Sequence, residues 1–208
     1  MSNMADQPNA RLETFCDGVF AIALTLLVID IKIPASDAIG TTRELWLALR
    51  HLVPSVLVFV LSFVIILITW VNHHAAFRLV NQSSALFMYA NGFLLLTVVV
   101  MPFPTALVGE YLLTDHAAPA VVIYNAVSAA QAVGWILVAG AALRDSLIKD
   151  EKSTVAMRNN RRNGWFALVV YSLLALIALW FPLAIAILTT MLWTYWLALG
   201  VRADSAQH

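Results

Sequence analysis

The sequence predicts an all-α fold, a polytopic bundle of six transmembrane helices built from a single domain, 1–208, with both termini cytoplasmic. Three observations carry this. The chain is 62% hydrophobic and 12% charged, against roughly 45–50% and about 25% in an ordinary soluble domain. Uncharged runs of 21, 31, 27 and 39 residues cover 52–72, 79–109, 117–143 and 163–201, and about 20 helical residues cross a hydrocarbon core of ~30 Å. The basic residues fall mainly on one side of the predicted spans. Twelve basic and twelve acidic residues cancel, so no net field draws nucleic acid, which is excluded as a partner, and membrane lipids are the expected surroundings. The single cysteine excludes an intramolecular disulfide framework and a cysteine-built zinc site.

The six spans are predicted at 13–34, 44–77, 80–110, 118–144, 160–181 and 183–202. The first is unusual, because its uncharged stretch is only the 12 residues 18–29, bracketed by Asp17 and Asp30. A cleaved signal peptide is not expected: no basic group precedes Arg11 and no small-residue cleavage pattern follows. The last run, 39 residues long, would be ~58 Å as one helix, too long for one crossing. Pro182, behind Trp180 and Phe181, divides it into two spans. The remaining segments are a polar tail, 1–10, a cytoplasmic loop, 145–159, and a C-terminal tail, 203–208.

With the N-terminus inside, nine basic residues (Arg11, Arg78, Arg144, Lys149, Lys152, Arg158, Arg161, Arg162 and Arg202) lie on the inner side. Lys32, Arg43 and Arg50 lie outside. That asymmetry sets the orientation. The basic run of the 144–163 segment reads first as a positive-inside anchor and second as a lipid-headgroup site. In the fourth span Ala126, Ala130 and Gly134, then 139–142, supply small residues for close helix packing.

Polar groups inside spans cost about 2.5–3.5 kcal/mol each on insertion scales and need a reason. The first span holds Arg11, Asp17, Thr25 and Asp30, the second ends in Trp70-Val71-Asn72-His73-His74, and the third carries Asn91. Antiparallel crossing brings Arg11, Glu13, Asp17, His73 and His74 to one depth. The first reading of such a cluster is structural: it satisfies its own charges and pins two helices together. Proton or ion sensing comes second. A metal site is disfavoured because adjacent histidines sit ~100° apart on a helix. Catalysis is weaker still, with Cys16 a nucleophile only by elimination. Gly18, Ile22, Thr25 and Ile29 fall at i, i+4, i+7 and i+11, one apolar stripe with a single hydroxyl. By itself that stripe suits a packing seam as readily as a pore wall.

The run Arg11-Leu12-Glu13-Thr14-Phe15-Cys16-Asp17-Gly18-Val19-Phe20-Ala21-Ile22-Ala23-Leu24-Thr25-Leu26-Leu27, continuing to Pro34, resembles the first-helix signature of the transmembrane protein 175 family of potassium channels. Two further segments resemble it: Trp70 to Phe77 with paired histidines, and Asn91 followed by Leu94-Leu95-Leu96 and Pro102-Phe103-Pro104. The resemblance implies a homotetramer in a bacterial inner or plasma membrane, four copies of the first span surrounding a path for permeant potassium, and no cofactor. By position, Ile22 is the narrowest apolar ring and Ile29 a second constriction. Thr25 is the hydroxyl layer linked to potassium preference, and Gly18 and Leu26 line the pore. Arg11, Phe15, Asp17, Trp70, His73 or His74, and Asn91 form the network that seats the first span. Cys16 departs from the family serine, and a thiol is the weaker hydrogen-bonding group.

The chain has no T-V-G-Y-G filter loop, so an apolar ring gating by dewetting is the expected device. The reading is therefore a potassium-preferring channel and not an enzyme. The alternative is a proton-coupled secondary transporter using Asp17 and His73 or His74 as relay, for which neither an inverted repeat nor a broken mid-membrane helix is evident. An intramembrane enzyme would need a metal triad or a Ser/His/Asp set, and neither is visible.

Overall fold

The computed structural model describes residues 9–205. Residues 1–8 and 206–208, and with them most of the two expected tails, lie outside the described residues, as do the side chains of Asp30 and Arg202. In chain order the helices are α1 (Ala10–Leu26), α2 (Thr42–His51), α3 (Val53–Phe77), α4 (Ala85–Val100), α5 (Pro102–Tyr111), α6 (Ala117–Arg144), α7 (Glu151–Ile177) and α8 (Pro182–Ser205). Four helical stretches are long and apolar enough to cross a membrane: Ala10–Ile29, Val53–Phe77, Ala85–Tyr111 and Ala117–Arg144. Pro182–Trp196 is a shorter apolar stretch. The chain is a multi-pass membrane protein.

The third expected span, 80–110, begins only at Ala85, capped by Ser84, and breaks at Met101 before Pro102. Three further boundaries differ from the sequence expectation, each for a local reason. The first helix stops short of Pro34, tightening into a 3₁₀ turn at Leu27–Asp30 before an extended Ile31. Within a continued helix the Pro34 ring would clash with the carbonyl four residues back, that of Asp30, and it pushes Ile33 toward extended backbone. The second expected span is two helices. Thr41 and Glu44 form a capping box that starts α2, with the Thr41 hydroxyl accepting from the Glu44 N–H at 3.2 Å and the Glu44 carboxylate accepting from the Thr41 N–H at 2.9 Å. Pro54, in the first turn of α3, cannot continue the preceding helix. Finally, α7 begins at Glu151, so much of the expected 145–159 loop is helix. Asp150 caps it by accepting from the Ser153 N–H at 2.7 Å.

α6 packs against α4, α5, α7 and α8, and its longest interface is with α7. The small residues that permit this are only partly those expected. Ala126 is exposed and Ala130 half-buried, whereas Ala129, Ala132 and Gly134 are buried. A Cβ at Gly134 would stand 3.0 Å from Leu94 Cα, so glycine is required for α6 to touch α4. Inside the bundle the hydroxyls pair. Thr105 donates to the Ser62 Oγ at 2.8 Å and the Thr189 hydroxyl donates to the Asn125 Oδ1 at 3.0 Å. At the basic end, the α3–α4 and α6–α7 connections are stitched by Asn81 N–H to Leu147 O (2.9 Å) and Lys149 N–H to Leu79 O (3.1 Å).

Candidate functional site

α1 packs on α3 and α4, and it is two-faced. Cys16, Phe20, Ala23 and Leu27 recur at i, i+4, i+7 and i+11 and are all essentially inaccessible. They face the core as an apolar stripe. Cys16 is wholly buried among apolar side chains, so the thiol acts as a small hydrophobic group there. On the opposite side Arg11, Phe15, Gly18, Ile22, Thr25 and Ile29 are all exposed. Ile22 is 59% and Ile29 70% accessible. Leu26 is at 38%, on the margin of the same face. The stripe predicted from spacing is therefore one continuous surface, uncovered by the other described residues. The Thr25 hydroxyl donates to the Ile22 carbonyl at 2.8 Å. Its proton is spent within the helix, which leaves oxygen lone pairs for an outside partner.

Three contacts hold the N-terminal half of α1. The Trp70 indole N–H donates to Asp17 Oδ1 at 2.8 Å. His74 Nδ1 lies 2.8 Å from the Glu13 carboxylate. His73 is buried, its ring centroid 5.3 Å from that of Phe20 and 4.6 Å from that of Phe77. His73 Nε2 meets Asn91 Oδ1 at 3.0 Å, and Asn91 Nδ2 donates to the Phe87 carbonyl at 2.8 Å. The acceptor role of that amide oxygen makes Nε2–H the donor.

Both histidines thus join, one turning toward α4 and the other toward α1, as neighbours ~100° apart on a helix must. Arg11 and Phe15 are not brought to this cluster. Each falls on the exposed face with Ile22, and Arg11 has no ion pair among the described residues. Glu13, which the sequence put at the right depth without a partner, is the acid that His74 finds.

A profile of the family described as endosomal/lysosomal potassium channel TMEM175 matches residues 11–102, the whole stretch that builds this arrangement. A potassium channel of Chamaesiphon minutus is 47% identical over 123 residues, 59% of this chain and 60% of that relative. One from Streptomyces collinus is 43% identical over 128 residues, 61% of each chain. The crystal structure of a lysosomal potassium-selective channel TMEM175 homolog from Chamaesiphon minutus matches with a TM-score of 0.75 and 34% identity, over 94% of this chain and 98% of that one.

The chain belongs to the TMEM175 family. Its sequence matches span about 60% of the curated relatives' length, while the structural match extends across nearly all of a TMEM175 homolog. The family-matched part comprises α1 to α4, which hold the two-faced helix and its seat. α6 to α8 lie beyond the matched residues and supply the wall behind α3 and α4.

Proposed function

We propose that this chain is a potassium-preferring cation channel that conducts passively across a bacterial cell membrane. In this reading α1, α3, α4 with α5, α6, α7 and α8 are the six spans, with both termini cytoplasmic. Four copies assemble with α1 around a central axis. Ile22 forms the narrowest ring and Ile29 a second, and Gly18 and Leu26 line the path. Thr25 supplies the oxygen layer that favours potassium. Asp17, Trp70, His73, His74 and Asn91 seat α1, and Arg11 and Phe15 serve the same end of it from the face toward the axis.

The observation that carries this reading is the uncovered stripe on α1. A helix held by one face through a buried apolar seam, two polar contacts and the packing of His73 on Phe20 presents its other face to something outside the described chain. Lipid alone would not call for a threonine and a glycine there beside flanking carboxylates. A symmetric ring of identical faces does, because a closed assembly repeats one patch around an axis. Relatives named as potassium channels support the same reading.

A ring of isoleucines offers no ligands to a hydrated ion, so it blocks by dewetting and opens when it widens. The test is potassium flux into proteoliposomes under a potassium gradient, without an imposed proton gradient. Wild-type flux is expected to be selective for potassium over sodium, and Ile22→Asn should raise it by wetting the ring. Thr25→Val should flatten the potassium-to-sodium ratio. Absence of potassium flux in both wild type and Ile22→Asn would refute the channel reading. Flux that strictly requires a proton gradient would favour coupled transport instead.

A further inference from the structure

A cavity of about 410 Å³, partly open to the outside, is lined by residues of α3, α6, α7 and α8. Its volume is within the roughly 300–1,000 Å³ of small-molecule sites. Among the described residues no charged side chain lines it. The polar part is dominated by five amides, Asn72, Gln131, Asn159, Asn160 and Asn163, beside the Tyr171 hydroxyl, which accepts from the Trp196 indole N–H. The hydroxyls of Thr69 and Ser128 are already spent on their own helices. None of the five amides has a hydrogen-bond partner among the described residues. Four are half-buried, and Asn159 is exposed and marks the rim at the basic end. The rest of the wall is apolar or aromatic, including Ile65, Ile68 and Trp135.

Unpartnered amides are costly within a bundle surrounded by lipid, where every polar group needs an internal partner or water. Five of them converging on one void, drawn from three separate helices, make a hydrogen-bonding lining with donors and acceptors and no net charge. Such a lining matches a polar, uncharged head carrying several hydroxyl or carbonyl groups. Either an anion or a cation would enter without a counter-charge. The adjoining apolar wall fits a short alkyl chain.

The position of the cavity links it to α1. Trp135 lines the cavity and meets His73 edge-on, with ring centroids 6.4 Å apart. His73 in turn packs on Phe20 of α1 and is tied to Asn91. We propose that this cavity is a regulatory site for a small uncharged amphiphile, whose occupancy sets the position of α1 through Trp135 and His73. Binding stands independently of the channel reading, while the effect on flux rests on it.

The test uses the full chain and monooctanoylglycerol as probe, with octanoate and octyltrimethylammonium as charged controls of equal chain length. Native mass spectrometry of protein released from micelles should show one monooctanoylglycerol retained per chain. The paired substitutions Gln131→Leu and Asn163→Leu keep the side chains near their original size and remove two amides. They should weaken retention at least about tenfold, as the loss of two hydrogen bonds implies, without lowering the melting temperature. Both charged probes should be retained no better by the wild type than the neutral probe is by this variant.

No retention by the wild type, equal retention by the double variant, or equal retention of a charged probe would each overturn the site. In proteoliposomes the neutral probe should change wild-type potassium flux. Phe20→Leu, on the coupling route but outside the cavity lining, should still bind the probe while losing most of that response, and an undiminished response would overturn the coupling. If no variant passes potassium but the probe is retained as expected, the channel reading fails and the site stands.

Discussion

α1 and α6 are both apolar enough to cross a membrane, yet within the chain 56% of the α6 stretch is buried against 22% of the α1 stretch. α6 is a helix its own chain completes. Alanines and Gly134 bring it against α4, while Gly164 lets α7 approach until an added Cβ would fall 2.8 Å from Ile136. α1 is half completed: one stripe is sealed and the opposite stripe has no partner among the described residues. The contrast separates what folds the protomer from what the protomer presents. It also says where a substitution should unfold the chain and where it should change only what the assembled molecule does.

The largest contrast comes from placing the same amide on each helix. Ile22→Asn on α1 should leave the melting temperature of the purified protein unchanged and raise potassium flux on the order of tenfold, as a wetted constriction does. Ile136→Asn on α6, where the side chain is 8% accessible, buries an amide against α7 and removes apolar contact. It should cost about 2–4 kcal/mol and reduce the yield of folded protein. Size-exclusion profiles and thermal denaturation in detergent read the second effect, and flux reads the first. If Ile22→Asn unfolds the protein and Ile136→Asn does not, the assignment of faces is wrong.

A second pair uses glycine. A Cβ at Gly18 meets nothing within 4 Å among the described residues, whereas one at Gly134 presses on the Leu94 backbone at 3.0 Å. Gly134→Ala should destabilise by about 1–3 kcal/mol through overpacking. Gly18→Ala should be neutral or slightly stabilising in thermal melts, since alanine is the better helix former. A change in conductance with an unchanged melt would sharpen the comparison, because it would put Gly18 on a surface that matters only in the assembly.

What was legible in the sequence follows the same division. The α1 stripe could be read from spacing because a helix repeats its faces every 3.6 residues. The meeting of Asp17 with the Trp70–His74 run followed from antiparallel crossing at equal depth. The pairing of His73 with Asn91 did not follow, since it depends on how α4 rotates against α3. The break at Leu52 was written locally, in Thr41 and Glu44 three residues apart and in Pro54, but the amphipathic α2, with Arg43, Glu44 and Arg50, abuts the apolar α3 with no intervening loop, so the two read as one span. The cavity amides sit on α3, α6 and α7, with no sequence spacing that relates them. Only tertiary packing assembles them, so their convergence carries no linear signal.

Asp17 tests the seat of α1 more gently. The Trp70 indole loses its acceptor in Asp17→Leu, and because the site is only part-buried the loss should be about 1 kcal/mol. Asp17→Asn keeps an amide oxygen in the acceptor position and should retain most of the stability. Melting temperatures for the two variants should rank wild type, Asn, Leu. A reversed order would mean that the carboxylate is tolerated there and does not anchor α1.

The smallest effect lies at the start of α7, outside the family-matched stretch. Asp150 accepts the Ser153 N–H at 2.7 Å. That backbone hydrogen bond, followed by one from the Ser153 side chain, holds the Asp150 carboxyl below its ordinary value. A carboxyl group lowered on folding stabilises the folded state above its unfolded-chain pKa, and this contribution fades as pH falls through the folded value. Asp150→Ala should therefore lower the melting temperature by a degree or so at pH 7, and the gap should shrink below about pH 4. Asp150→Asn retains a capping oxygen without a titrating proton, so its gap to the alanine variant should stay constant with pH. A wild-type-to-alanine gap that is equally constant from pH 7 to pH 3 would show that the cap works through its hydrogen bond and not through its charge.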